Sequence, residues 1–433
     1  MTAIVFNCAY NGLNIIQELG RRGVDVYAFD SFRNIGTVSR YATYRSCPNA
    51  ATSEEEFIAY LLSIADDFDD NPVLIPTNDH WAAAIAHHRE KLSEHYRPCV
   101  ASGETVDLVL NKDSFGKWAE ERNYPVPRSW EGTNSEKIPA DAFPIAAKPS
   151  DATSVPDLMF DSKVAILYNK FFGDDSETDL DPEEQDRAER LSKTRLEVLE
   201  SSTELNEFVQ RESDILNHFV FQEYVRGMSD SMYTVGVYAN HGEVKGMFTG
   251  RKVRGYPPDI GDCKVGQEQS VPDHLIEDTT AICDDLDYHG IAEFEFKRDT
   301  ETGEYYLIEI NPRSWSWIGI TPNCSANLPW IAYSDLSTDK MDSVQESESA
   351  ETVKWVKVTE DLPNCLFGYR WRGFDDWDLT FQEWKQSIQA DHVEYAELSR
   401  DDPVPGAYSM VLLLRRGATG LLNTVKNRYY NDL

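Results

Sequence analysis

Apolar runs separated by turn residues divide this chain into elements from its first residues onward. Ala3 to Phe6 predicts a strand, Tyr10-Asn11-Gly12 a turn, and Leu13 to Arg22 a helix with Leu13, Ile16 and Leu19 on one side. Gly23 stops that helix and Val24 to Phe29 returns as a strand. This βαβ start predicts a parallel sheet with right-handed crossovers. Pro72 to Pro76 is a further short buried strand, followed by Thr77-Asn78-Asp79-His80. Asn78 and Asp79 thus fall just past a strand's carboxyl end, where open α/β sheets collect ligands, and a helix N-cap accounts for them equally well. From about Ser102 a new unit begins. Val106 to Leu110 and Lys112 to Arg122 read as helices, stopped by Tyr124-Pro125-Val126-Pro127. Phe143 to Pro149 is a strand with Lys148 near its end, and Phe219 to Val225 is another, closed by Arg226-Gly227. Met232 to Tyr238 and Val244 to Gly250 predict a hairpin around Asn240-His241-Gly242.

The most informative pair of strands is Ile291 to Lys297 and Tyr306 to Arg313, joined by the turn-forming run Arg298 to Gly303. Alternation puts Glu309, Asn311 and Arg313 on one face. A hairpin would set Glu295 beside Glu309. Two carboxylates and an amide oxygen in that arrangement suit Mg²⁺, or Mn²⁺ in its place, a hard ion that brings nucleotide phosphates with it. Arg313 would add a planar cation beside those phosphates. Scattered charges on a solvated edge hairpin are the plainer alternative, but the apolar flanks read as core.

Composition then narrows the field. The chain has 433 residues, 41% hydrophobic and 12% aromatic, enough for two or three globular domains. Its 75 acidic against 41 basic side chains give a formal net charge of −34, which repels nucleic acid and anionic lipid and argues against both as partners. Apart from a dense run from Asp174 to Asp186 the acid is spread along the chain, a pattern that fits a high-salt cytoplasm. Seven scattered cysteines without a Cys-x-x-Cys pair speak for a reducing compartment and against a disulfide framework or zinc site. Met1-Thr2-Ala3-Ile4 has no charged leader region, and no apolar run reaches membrane-spanning length, so a cytoplasmic protein is expected. Asp30, ending the second strand, could hold a ribose. The first turn, however, has one glycine rather than Gly-x-Gly-x-x-Gly, which weakens an NAD reading.

Taken in order over roughly residues 1–335, these motifs resemble the ATP-grasp superfamily, and within it the carboxylate–amine ligase-like group that includes D-aspartate ligases. Phe248 to Pro258 is the segment closest to that group. The resemblance implies ATP and Mg²⁺ as cofactors, with Lys112 and Lys148 on the phosphates. It makes Gln222-Glu223-Tyr224-Val225 the hinge that reads adenine through its main chain, and Asp230 a ribose acceptor. Glu295, Glu309 and Asn311 become the metal ligands. Arg313, Lys252 and Arg251 would serve the reaction, the last two together with Arg254 as a cationic landing place for an anionic substrate. Trp315 and Trp317 read as pocket wall or core. One departure stands out: no glycine occurs between Lys148 and Gly173, where relatives carry a glycine-rich lid, and Ser150, Thr153 and Ser154 offer hydroxyls instead.

The expected fold class is α/β and α+β. A Rossmann-like domain spans 1–104, and a two-lobed ATP-grasp domain spans 105–342 with its lid at about 135–225. A small α+β appendage covers 352–433, after a Ser/Glu-rich linker from Ser343 to Glu351. In that last part Trp355 to Val358, Leu366 to Tyr369 and Met410 to Leu414 read as strands, and Gly417 to Arg428 as a basic helix. The expected activity is joining a carboxylate to an amine through an acyl phosphate, with small-molecule partners and a possible homodimer. A different acyl acceptor, or nucleotide binding without turnover, stays open.

Overall fold

The computed structural model of the protein describes residues 2–151, 190–191, 196–259, 261–337 and 352–413. Thr153, Ser154, most of the acidic segment Asp174 to Arg195, the Ser343 to Glu351 linker and the Gly417 to Arg428 helix lie outside the described residues.

The N-terminal unit runs β1 (Thr2–Phe6), α1 (Tyr10–Arg21), β2 (Asp25–Asp30), β3 (Ala42–Ser46), α2 (Glu54–Ser63), β4 (Val73–Pro76), α3 (Asp79–His87) and β5 (Arg97–Pro98). These strands form one parallel sheet in the order β3-β2-β1-β4-β5. α1 starts at Tyr10, so the expected turn is already helix, and Gly23 follows it at φ 82°, where a side chain would be strained. Asn78 does cap α3, accepting from the His80 N–H at 3.0 Å.

Two helices follow, α4 (Gly103–Leu110) and α5 (Lys112–Glu121). Their caps are legible in the sequence: Ser102 accepts from the Thr105 N–H and Asn111 from the Ser114 N–H. A small antiparallel sheet then gathers β6 (Ser129–Glu131), β7 (Ile145–Pro149), β8 (Glu197–Leu199) and β9 (Phe219–Glu223) in the order β6-β9-β7-β8. Its inner face packs on α6 (Ser202–Arg211) through Phe208, Phe219 and Phe221.

The large sheet has seven strands. β10 (Met232–Asn240), β11 (Glu243–Tyr256), β12 (Asp262–Glu268), β13 (Gly290–Arg298) and β14 (Tyr305–Asn311) are joined by β15 (Val353–Val356) and β16 (His392–Tyr395), in the order β14-β13-β10-β11-β12-β15-β16. The C-terminal part is α+β as expected, but its strands lengthen this sheet instead of making their own. The edge of β12 offers unpaired backbone groups, and β15 satisfies them. Leu366 to Tyr369, read as a strand, is helical, because Cys365 and Tyr369, four residues apart, bury together against Val265 and Val356; the described part of the other expected strand, Met410 to Leu413, is helical too. All seven cysteines are buried and free. No helix among the described residues is long and apolar enough to cross a membrane.

Candidate active site

A cavity of about 470 Å³ opens where the carboxyl ends of β1, β2 and β4 face the large sheet. The N-terminal unit contributes Asn7, Asn11, Asn34 and Thr77, and the sheet contributes Lys252, Glu293, Glu295, Glu309 and Asn311. Asn7 turns the chain out of β1 at φ 52°, a conformation asparagine tolerates better than most residues.

The β13–β14 hairpin forms as the alternation required. Glu295 stands opposite Glu309 in the register, and Glu293 opposite Asn311. Between these pairs and Phe296↔Leu307 the register shifts, leaving Ile308 as the extra residue of a bulge. Strict alternation would have put Leu307 on the face of Glu309. The bulge sends Leu307 into the core beside Phe296 and leaves the acids on the cavity side.

Each carboxylate is balanced by one lysine. Lys112 Nζ donates to Glu309 Oε1 at 2.8 Å, and Lys252 Nζ donates to Glu295 Oε2 at 2.9 Å. Burial alone would raise the Glu309 carboxyl, but Lys112, Arg313 and Lys148 together hold it below its usual range. Asn311 Nδ2 donates to Glu293 Oε2 at 3.0 Å and Glu295 Oε1 at 3.3 Å, while its Oδ1 accepts from Arg313 Nη2 at 3.1 Å. The amide oxygen therefore faces Arg313 and not Glu295, because two neighbouring carboxylates draw the NH₂ end. Among the described residues no three His, Cys, Asp or Glu side chains converge as a metal cluster. Two in-register carboxylates with an adjoining carboxamide are a hard-oxygen donor set, and that chemistry fits Mg²⁺.

Arg313 is fixed by the N-terminal unit. Its Nε and Nη2 donate to the two oxygens of Asp79 at 3.0 and 3.1 Å. Lys112, first residue of α5, is tied to the small sheet by its N–H to Ser150 O at 2.7 Å. That link sets it near Lys148, whose Nζ donates to Gln222 Oε1 at 2.8 Å. Burial, then the neighbouring Lys112 charge, push the Lys148 ammonium down to about 8.

The Glu223 N–H donates to Arg128 O and the Tyr224 N–H to Pro144 O, so neither donor is open to an adenine edge; both close the small sheet. The Glu223 carboxylate pairs with Arg128 at 3.1 Å. Val225 is buried beyond the strand end. Asp230 is exposed in the turn Ser229–Ser231 and does not line the cavity. The trio Arg251, Lys252 and Arg254 is dispersed, because a bulge at Val253 places Lys252 opposite Gly266 but Arg254 opposite Val265. Lys252 reaches the cavity, whereas Arg251 shares the other face and does not line it. Arg254 is bound by Asp361 at 2.9 and 2.7 Å. Trp317 forms cavity wall and Trp315 core, as expected.

The sequence reading missed Glu293, Asp262 and Lys357, all on the cavity wall. Glu293 had a signal, standing two residues before Glu295 on the same strand. It is 3% exposed; burial first, then Glu295, push its carboxyl well above the usual range. Asp262 and Lys357 had none, since folding alone brings them there.

No family model matches the chain. A D-aspartate ligase of Enterococcus faecium (strain Aus0004) is 24% identical over 277 residues, covering 59% of this chain and 58% of that ligase. The match thus spans little more than half the length of that relative. An L-amino acid ligase from Bacillus licheniformis superposes with a TM-score of 0.53 at 14% identity, covering 78% of this chain and 74% of that one. An N5-carboxyaminoimidazole ribonucleotide synthetase in complex with ADP gives a TM-score of 0.57 at 13% identity over 85% of each chain. Joined to the ordered lysines, acids and hairpin above, these likenesses lead to one conclusion: the chain has the multi-domain ATP-grasp fold.

Proposed function

We propose that this chain joins a small carboxylate, such as an amino acid, to an amine at the expense of ATP. The carrying observation is the register pairing of Glu295 with Glu309 beside Asn311, under two lysines from separate elements. A bound Mg²⁺ would supply charge neutralisation between phosphate oxygens, and Glu295, Glu309 and a turned Asn311 amide would hold it. Lys112 and Lys148 approach the same place from α5 and β7 and would neutralise phosphate charge from two sides. Arg313, held rigid by Asp79, presents a fixed cation where negative charge grows in the transition state. The carboxylate oxygen attacks the γ-phosphorus and ADP leaves. The amine nitrogen then attacks the acyl carbon, phosphate departs, and one proton passes to solvent. No protein nucleophile is needed for either step.

Supporting the amino-acid reading, the curated relative is named a D-aspartate ligase. The distributed acid supports a further part of the proposal, a protein adapted to high salt; the buried free cysteines suit a cytoplasmic home, and a homodimer belongs to the same reading. The test is ADP release with ATP, Mg²⁺ and pooled amino acids in high KCl, with active pools then resolved. Amino-acid-dependent ADP release is expected; its absence from every pool, with ATP still bound, would leave a nucleotide-binding protein without turnover.

A further inference from the structure

The carboxylates lining the cavity are unequally open. The Glu295 side chain is 14% exposed, Glu309 31% and Asp262 43%. Glu295 and Glu309 have their place in the proposed metal set; Asp262 stands outside it. It begins β12 directly after Gly261, where a Cβ would stand 2.0 Å from the Tyr256 carbonyl carbon, so only glycine permits the turn that delivers the acid to the cavity.

Asp262 is held from beneath and open above. Ser316 Oγ donates to its Oδ1 at 2.8 Å, and Lys264 Nζ lies 3.3 Å from its Oδ2. Lys264 is 3% exposed and is shared with Glu360 at 2.7 Å, and Glu360 in turn pairs with Lys357 at 2.9 Å. This alternating row, running from β12 into the C-terminal part, fixes the acid's position without covering it. An ionised carboxylate has about four lone-pair sites, and two are taken here. Burial would raise the Asp262 carboxyl, but Lys264, Lys357 and Lys252 hold it below its usual range, so it stays an ionised acceptor for an N–H donor entering from the open side. Trp317 and Phe32 line the same cavity and offer an apolar wall for a short carbon skeleton.

We infer that Asp262 binds the ammonium group of the carboxylate substrate, making this end of the cavity the reader of an amino acid. This rests on the proposed ligase reading and adds to it a residue that sets specificity. It also gives the C-terminal part a role, since Glu360 and Lys357 hold the row in place.

The test uses the full chain with ATP, Mg²⁺ and hydroxylamine as accepting amine, reading hydroxamate from amino acids and from their des-amino counterparts, which are smaller and meet no new steric barrier. The amino acids are expected to exceed the des-amino acids in kcat/KM by about ten- to a hundredfold, the worth of a hydrogen bond to a charged group. Asp262→Asn should raise KM for the amino acid by a similar factor, leave kcat and the KM for ATP unchanged, and erase the preference. Equal use of both acids by the wild-type protein, or an unchanged KM in Asp262→Asn, would overturn the inference while leaving the ligase reading intact. Hydroxamate from no carboxylate would defeat the ligase reading instead. Calorimetric titration of the wild-type protein with the same acids would then decide on Asp262, equal binding of both classes overturning it.

Discussion

Lys148 shows how much a single residue's position can be read in advance and how little of its behaviour. The apolar run before it and Pro149 after it placed it on a strand, and it is there. Its nearness to Lys112 came only from the resemblance and not from spacing, because Lys112 and Ser150 meet only in the folded chain. The consequence is a pH dependence. The free lysine value is 10.5 and the folded value about 8, so between them the unfolded chain binds the extra proton. Stability on this account rises with pH through that window, and the cost of the buried charge is fully present below it. Phosphate binding needs the charged form, so ATP affinity should fall as pH climbs past about 8. Titrations of ATP binding from neutral to alkaline pH should show this inflection in the wild-type protein and not in Lys148→Arg. Glu293 was legible from spacing alone, whereas Asp262 was not, since its partners Ser316 and Lys264 come from a distant loop and from its own strand.

At the scale of elements, the strands themselves were largely legible and their irregularities were not. The hairpin of β13 and β14 followed from alternation, but the bulge at Ile308 depends on where Leu307 finds apolar company. The bulge at Val253 likewise split a cationic trio that looks contiguous in sequence. Its outcome is the Arg254–Asp361 pair, with Asp361 fully buried and also accepting from Trp384 Nε1 at 2.7 Å. This pair fastens the C-terminal part to β11. Removing the acid leaves a buried guanidinium unpaired, so Asp361→Ala should cost about 3–5 kcal/mol of stability. Denaturant unfolding would measure it, and a loss within experimental error would mean the pair is dispensable.

Across the whole molecule, the C-terminal part closes a ring that no local pattern announces. It extends the large sheet at β15, contributes Lys357 and Leu412 to the cavity, and returns to the N-terminal unit. There the buried Asp402 accepts from Ser39 Oγ at 2.5 Å and Gln17 Nε2 at 3.0 Å. Long-range closure of this kind depends on surfaces, and single-chain periodicity carries no record of it. Net charge is the property that composition did give. At −34 the folded chain repels itself, and added salt screens that repulsion. The melting temperature should therefore rise from low to molar KCl, and a fall would exclude adaptation to salt. The account as a whole turns on the acids of β13 and β14. The direct measurement is ADP production by Glu309→Gln beside the wild-type protein, with ATP affinity taken with and without Mg²⁺. We predict a loss of about a hundred- to a thousandfold in ADP production and no Mg²⁺-dependent gain in ATP affinity for the variant. Wild-type ADP production by Glu309→Gln, with the Mg²⁺ dependence intact, would contradict the account.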